Sequence, residues 1–222
     1  IIITNRENDQ EECAMIIEIR AENCFVFEDE IVFSMKADMR NKKFGSNVHK
    51  ENNFHMLKTA GIYGPNNAGK TCLIKCIRAI KDVLLNKRNG LMPNIFTSNK
   101  VCSLGVTFLA SGRKFSYDFK YDCEKEEYIY ESFSEILKDQ YNNEKEVCWL
   151  KKDTVGERYE CDDENLKFMI PVVSKNSLFC YVIDTTKFER INEMKQILVG
   201  FEEKIDIINM NNIPMQHTIE LM

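Results

Sequence analysis

The chain has 222 residues, 44% of them hydrophobic and 29% charged, which provides material for a buried core and excludes a disordered chain. Thirty basic residues against 35 acidic ones leave a formal charge of −5, which argues against a surface dominated by polyanion binding. No apolar run approaches the roughly 18 residues of a membrane-spanning helix, and the polar stretch Asn5–Asp9 behind the opening isoleucines does not read as a secretory signal.

Nine cysteines without an export signal read as reduced thiols of a cytoplasmic protein. No Cys-x-x-Cys pair occurs, and His49, His55 and His217 lie far apart, so the spacing offers no zinc site. Most of these cysteines are expected to be small core hydrophobes.

Residues 1–14 are polar and acidic apart from the isoleucines and are expected to be a leader or flexible arm; organised pattern begins at Met15, where a natural start would fit. Met15–Arg20 and Glu30–Met35 read as short strands around a Glu28–Glu30 turn. Residues 36–57, with Asn41, Gly45, Asn47, Asn52 and Asn53, read as a loop, long enough to suggest a functional role. Lys58–Tyr63 is a third strand. From Lys70 to about Leu85 the residues Leu73, Ile74, Ile77, Ile80 and Leu84 recur at three and four, the stripe of an amphipathic helix, which Asn86–Gly90 stops. Cys72 and Cys76 sit four apart on it, as packing residues or as a redox pair.

A period of two starts at Val101. Cys102, Leu104, Val106 and Phe108 alternate, Ala110–Arg113 turns the chain, and Phe115, Tyr117, Phe119 and Tyr121 alternate again. After a turn at Asp122–Lys125, Tyr128–Phe133 and Val147–Leu150 continue the series around Asn142-Asn143, predicting an antiparallel meander over 100–150. Its aromatic ladder fits a half-buried sheet face better than a base-stacking platform, because few basic residues interleave it. The last third reads as helical: Phe188, Ile191, Met194, Ile197, Leu198 and Phe201 keep helical spacing, with Gly200 near the end. Ile205, Ile207 and Met210 then suggest an extended stretch.

One motif carries chemistry. Gly64-Pro65-Asn66-Asn67-Ala68-Gly69-Lys70-Thr71 fits G-x-x-x-x-G-K-[ST], the phosphate-binding loop, with a strand before it and a helix after it. Glycines let successive N–H groups converge on phosphate oxygens, and the helix start aims its positive end at the same anion. Lys70 would reach the β- and γ-phosphates as the catalytic cation, and the Thr71 hydroxyl would hold Mg²⁺. Residues 64–72, Cys72 included, are the expected cofactor-binding set for ATP and Mg²⁺.

This wording, with asparagine at the third position, resembles the Walker A loop of ABC-type ATPases of the SMC, RecF and OLD branch. Ile19–Phe27 is similar to that branch's opening strand and Asn-Phe-x-x-Phe turn, with Cys24 in place of the usual aromatic, and Ile31–Met35 stands where its returning strand belongs. The best match is to bacterial AAA-family ATPases, many linked to phage defence. The resemblance implies an α/β P-loop NTPase head with an antiparallel β-subdomain: a nucleotide-binding lobe at 15–99, the meander at 100–150 and a mostly helical segment at 151–222. It also implies a head-to-head homodimer or partner head, and coupling to nucleic acid or to an effector nuclease or toxin through other regions.

The same resemblance calls for a Ser-Gly-rich signature, a Walker B strand ending in Asp-Glu and a switch histidine. Ser174–Ser177 is not such a signature. Leu178–Asp184 is the nearest approach to Walker B, but Thr185 follows, and a helix capped near Asn176 is the competing assignment. The chain therefore reads as the N-terminal part of a longer ATPase. A nucleotide-sensing module without turnover and a small-molecule kinase are the alternatives. The meander argues against the kinase, which would continue in parallel βα units.

Overall fold

In the computed structural model, residues 2–5, 14–40, 43–52, 54–138, 143–161, 163–172, 175–182, 184–203 and 205–208 are described. Asn41, Asn53, Asn142, Ser174, Met210 and His217, singled out above, lie outside them, as do Cys13, one of the nine cysteines, and Ile183 in the Leu178–Asp184 run. The chain runs through β1 (Ile2–Asn5), β2 (Ala14–Glu22), β3 (Ile31–Ser34), β4 (Val48–Glu51), β5 (Phe54–Leu57) and β6 (Thr59–Gly61) into helix α1 (Lys70–Leu84). Four long strands follow, β7 (Val101–Ala110), β8 (Arg113–Asp122), β9 (Glu127–Lys138) and β10 (Glu144–Asp153), then β11 (Arg158–Cys161). Three helices, α2 (Glu164–Met169), α3 (Phe179–Val182) and α4 (Glu189–Glu203), lead to β12 (Ile205–Ile208).

Seven strands form one antiparallel sheet in the order β11-β10-β9-β8-β7-β2-β3. The meander thus forms as its alternation requires. It does not stand apart, because β2 pairs with β7 from Ala14 opposite Ala110 to Glu22 opposite Ser103. The expected division between 15–99 and 100–150 therefore cuts through a single sheet. A smaller sheet, β12-β1-β6, holds β1 antiparallel to both neighbours. Ile2–Asn5, expected in a leader or arm, is a strand in that sheet, and the Ile3 side chain is fully buried.

Period two puts Leu104, Val106, Phe108, Phe115, Tyr117, Phe119 and Phe133 on one face, where none is more than 1% exposed. Ile77, Ile80 and Leu84 of α1 and Ile191, Met194, Leu198 and Phe201 of α4 join them in one apolar cluster. The Phe201 ring stacks on Phe108 at 4.1 Å. The aromatic ladder is core, not a base platform. Arg113 pins α4 over this face: its guanidinium makes a fork of two 2.8 Å bonds to Glu135 and reaches Glu193 at 2.6 Å.

The opposite face carries a second, small apolar cluster of Met15, Ile17, Met56 and Leu109, with a polar network beside it. Arg20 donates to Thr107 at 2.7 Å, Ser116 at 3.0 Å and Asp118 at 2.8 Å. Gly105 makes room for this network, since a Cβ there would stand 1.9 Å from Asp118 Oδ1.

Two other expectations need correction. Residues 36–57 hold the hairpin β4–β5 and a 3-10 turn at Gly45–Asn47. Their polar composition hid strands of only four residues, joined through Asn52, whose φ of 52° suits asparagine. The segment after 150 opens on a strand, β11, that extends the sheet. Phe179–Val182 is helical, as the assignment competing with a Walker B strand has it, and the N–H of Phe179 donates to Glu131 at 2.9 Å.

Glu131 is fully buried on the aromatic face, with the Tyr117 hydroxyl at 3.3 Å and the Lys152 charge nearby. Burial pushes its carboxyl up to about 7, against the pull of Phe179 N–H, Lys152 and Tyr117. A carboxyl raised in the folded state favours folding while protonated, and that contribution fades as pH climbs toward its folded value. Stability should therefore fall by about 3 kcal/mol between pH 4.5 and 7 on account of this group. Urea unfolding at pH 5, 6, 7 and 8 checks it: Glu131→Gln should flatten the slope in that window, and an unchanged slope would place its origin elsewhere.

Candidate functional site

The glycine-rich loop lies between β6 and α1. Gly64, Pro65, Asn66, Asn67 and Ala68 are exposed, Gly69 and Lys70 partly covered, Thr71 exposed and Cys72 half-buried. The nine expected site residues are thus one continuous loop and first helical turn. Asn67 adopts a φ of 66°, tolerated by asparagine, and Gly69 a φ of 82°. A Cβ on Gly69 would stand 3.3 Å from Phe27 and 3.4 Å from Val26, so space as well as backbone angle asks for glycine there.

Gly69 is the residue that caps α1, and no side chain bonds the helix start. Helix geometry leaves the N–H groups of Lys70, Thr71 and Cys72 without an intrahelical acceptor, with Leu73 N–H the first to find one, on Gly69 at 3.0 Å. Lys70 folds back over the loop, and its ammonium donates to the carbonyls of Gly64 at 2.7 Å and Pro65 at 2.5 Å. The amides of the first helical turn, the positive end of a 15-residue helix and the Lys70 ammonium thereby lie on one loop.

The turn Asn23–Phe27 supports this arrangement. Cys24 and Phe27 exchange backbone bonds at 3.0 and 2.9 Å, Phe25 N–H donates to Met92, and the Lys75 ammonium sits 5.4 Å from the Phe25 ring. The Asn23 side chain, 5% exposed, holds the 91–101 segment. Its amide donates to the carbonyls of Asn99 and Val101, both at 2.9 Å, while its oxygen accepts from Asn94 N–H at 3.2 Å and the Thr97 hydroxyl at 2.8 Å. On the other side, Asn47 spans the start of β6: its amide donates to the Thr59 carbonyl at 2.8 Å and its oxygen accepts the Thr59 N–H at 2.9 Å. Asn23 stands at the asparagine of the turn that the resemblance picks out, whereas Asn47 is not distinguishable in sequence from any loop asparagine.

Leu178–Asp184, the nearest approach to Walker B, does not present an acid in the form the resemblance requires. Asp184 is exposed and closes its own turn on Thr186, accepting the hydroxyl at 2.5 Å and the N–H at 3.2 Å, which holds its carboxyl below the usual range. Among the described residues, no three or more His, Cys, Asp or Glu side chains are placed to hold a metal ion, and no helix is long and apolar enough to cross a membrane.

Replacing Asn23 by alanine removes the side-chain partner of two carbonyls, an N–H and a hydroxyl in a nearly closed site, so Asn23→Ala should cost about 3 kcal/mol in urea denaturation. Asn66→Ala, on the exposed loop, should stay within about 0.5 kcal/mol of the parent. Equal losses in the two variants would mean that Asn23 does not organise the turn.

Compared with known proteins, the chain matches no family model and shows no sequence match to a curated protein.

Proposed function

We propose that residues 64–72 bind the phosphates of ATP, with Mg²⁺, as the nucleotide-binding part of a P-loop ATPase of the ABC type. The observation that carries this is the Lys70 ammonium, held on the Gly64 and Pro65 carbonyls at the mouth of an uncapped helix start. An entering polyphosphate would offer that cation stronger acceptors than two neutral carbonyls, and the amides of Lys70, Thr71 and Cys72 would be its further donors. The chemistry of the donor set fits. The Thr71 hydroxyl is the side chain that would hold Mg²⁺, which supplies charge neutralisation between the β- and γ-phosphates.

A second reading, binding without turnover by this chain alone, is favoured by the helical Phe179–Val182 segment and the self-contained Asp184 turn. Phosphoryl transfer to water needs a second acid on the metal and a group that orients the nucleophile. In the family that the loop resembles, these come from a later segment and from a facing head, so dimerisation and effector coupling belong to the same proposal. The antiparallel connectivity after α1 speaks against a small-molecule kinase.

Isothermal titration with Mg²⁺-ATP tests the loop. Lys70→Ala should lower affinity by at least about tenfold with the fold retained by circular dichroism, because the side chain pairs with charge and does not pack. Thr71→Ala should lose only the Mg²⁺-dependent part. Unchanged affinity in folded Lys70→Ala overturns the assignment. Steady-state phosphate release separates the two readings: turnover by residues 1–222 that Asp184→Asn abolishes would contradict binding without turnover.

A further inference from the structure

Four of the cysteines come from four different elements and meet beneath the Asn23–Phe27 turn: Cys24 in the turn, Cys76 on α1, Cys102 on β7 and Cys123 just after β8. The Cys102 and Cys123 sulfurs are 3.5 Å apart. Cys102 Sγ lies 3.2 Å from the Asn23 carbonyl, Cys24 Sγ 3.2 Å from that of Glu22, and Cys123 Sγ 3.9 Å from that of Leu91. Helical spacing leaves Cys72 and Cys76 as packing residues or as a redox pair; the fold turns Cys76 toward Cys24.

We infer that Cys123 and Cys102 form a thiol–disulfide site that a low-molecular-weight disulfide, of the glutathione disulfide class, converts to an internal bond. Cys102 and Cys24 are both 0% exposed, while Cys123 is partly exposed, so Cys123 is the entry point. Its position also gives it freedom. Its N–H donates to the Lys100 carbonyl at 2.9 Å, which ends the β7–β8 ladder, and the chain turns immediately afterwards. A disulfide needs about 2.05 Å between sulfurs, so side-chain rotation at a compliant strand end has to supply roughly 1.5 Å.

The exchange balances in two steps. The Cys123 sulfur attacks the small disulfide, breaking its S–S bond; a mixed disulfide forms, and the Cys123 proton leaves on the first small thiol. The Cys102 sulfur then attacks the Cys123 sulfur; the protein S–S bond forms, and the second small thiol leaves with the Cys102 proton. Two cysteine thiols are oxidised and one small disulfide is reduced to two thiols. Cys102 suits the second role because its sulfur is closed off from solvent and lies 3.5 Å from that of Cys123. No co-reactant beyond the small disulfide is needed, and nucleotide binding plays no part.

The test uses the full 222-residue chain, reduced, desalted and exposed to glutathione disulfide. Acid quench, alkylation of remaining thiols and mass spectrometry follow. The expected product has lost two hydrogens, has two fewer alkylated thiols and yields a peptide pair joined through Cys102 and Cys123. Cys102→Ser should leave Cys123 as a glutathione adduct, Cys123→Ser should leave Cys102 with neither adduct nor bond, and Cys24→Ser should still close. A persistent adduct on wild-type Cys123, a bond mapping to another pair, or full alkylation after exposure would each overturn the site. The wild-type map decides the pairing even where a serine variant fails to fold.

Discussion

The architecture depends on covering one face of the antiparallel sheet. Phe108, Phe115, Tyr117, Phe119 and Phe133 are too large an apolar surface to leave in water, and α1 and α4 are the elements that remove it. The seat of α1 is therefore dictated by its Ile77, Ile80 and Leu84 stripe, and the place of the glycine-rich loop follows, since the loop is the entry to that helix. The packing of the helix behind it restrains where the loop can move.

Polar groups then join parts that hydrophobic packing alone would leave free to slide. Asn23 ties the turn after β2 to the 91–101 segment, Asn47 extends the backbone pattern of β6, Arg113 joins β9 to α4, and Glu131 receives the start of α3. Each satisfies groups that burial would otherwise orphan, so each has a large penalty for removal and a modest net contribution. Glu131 is the exception in sign. Its ionisation is opposed by its surroundings, so the anchoring of α3 is obtained at a cost in stability near neutral pH.

Strong periodicity was readable from sequence. The stripe from Leu73 to Leu84 and the alternation from Cys102 to Tyr121 matched a helix and two strands to within a residue or two, because burial on one face writes its period directly into composition. The glycine-rich loop was readable because its turn needs glycine or asparagine at set positions. What was not legible was short or non-local. The hairpin β4–β5 has four residues a side and little apolar contrast, and the apolar run Leu178–Val182 looks the same as helix or strand over so few residues. The joining of β2 to β7, the partners of Asn23 and the meeting of Cys24, Cys76, Cys102 and Cys123 all depend on contacts across many tens of residues, which no local window contains.

That β2–β7 pairing has a kinetic consequence. Its partners run from Ala14 with Ala110 to Glu22 with Ser103, and β3, the small hairpin, β6, the glycine-rich loop and α1 are all strung between them. Closing so long a loop costs entropy before any contact repays it, whereas β7–β8, β8–β9 and β9–β10 close through short turns. The expected order of assembly is the meander first and the β2 edge afterwards. Until that edge arrives, the chain has the helix sequence without the turn that abuts Gly69, so the loop acquires its shape among the last events of folding.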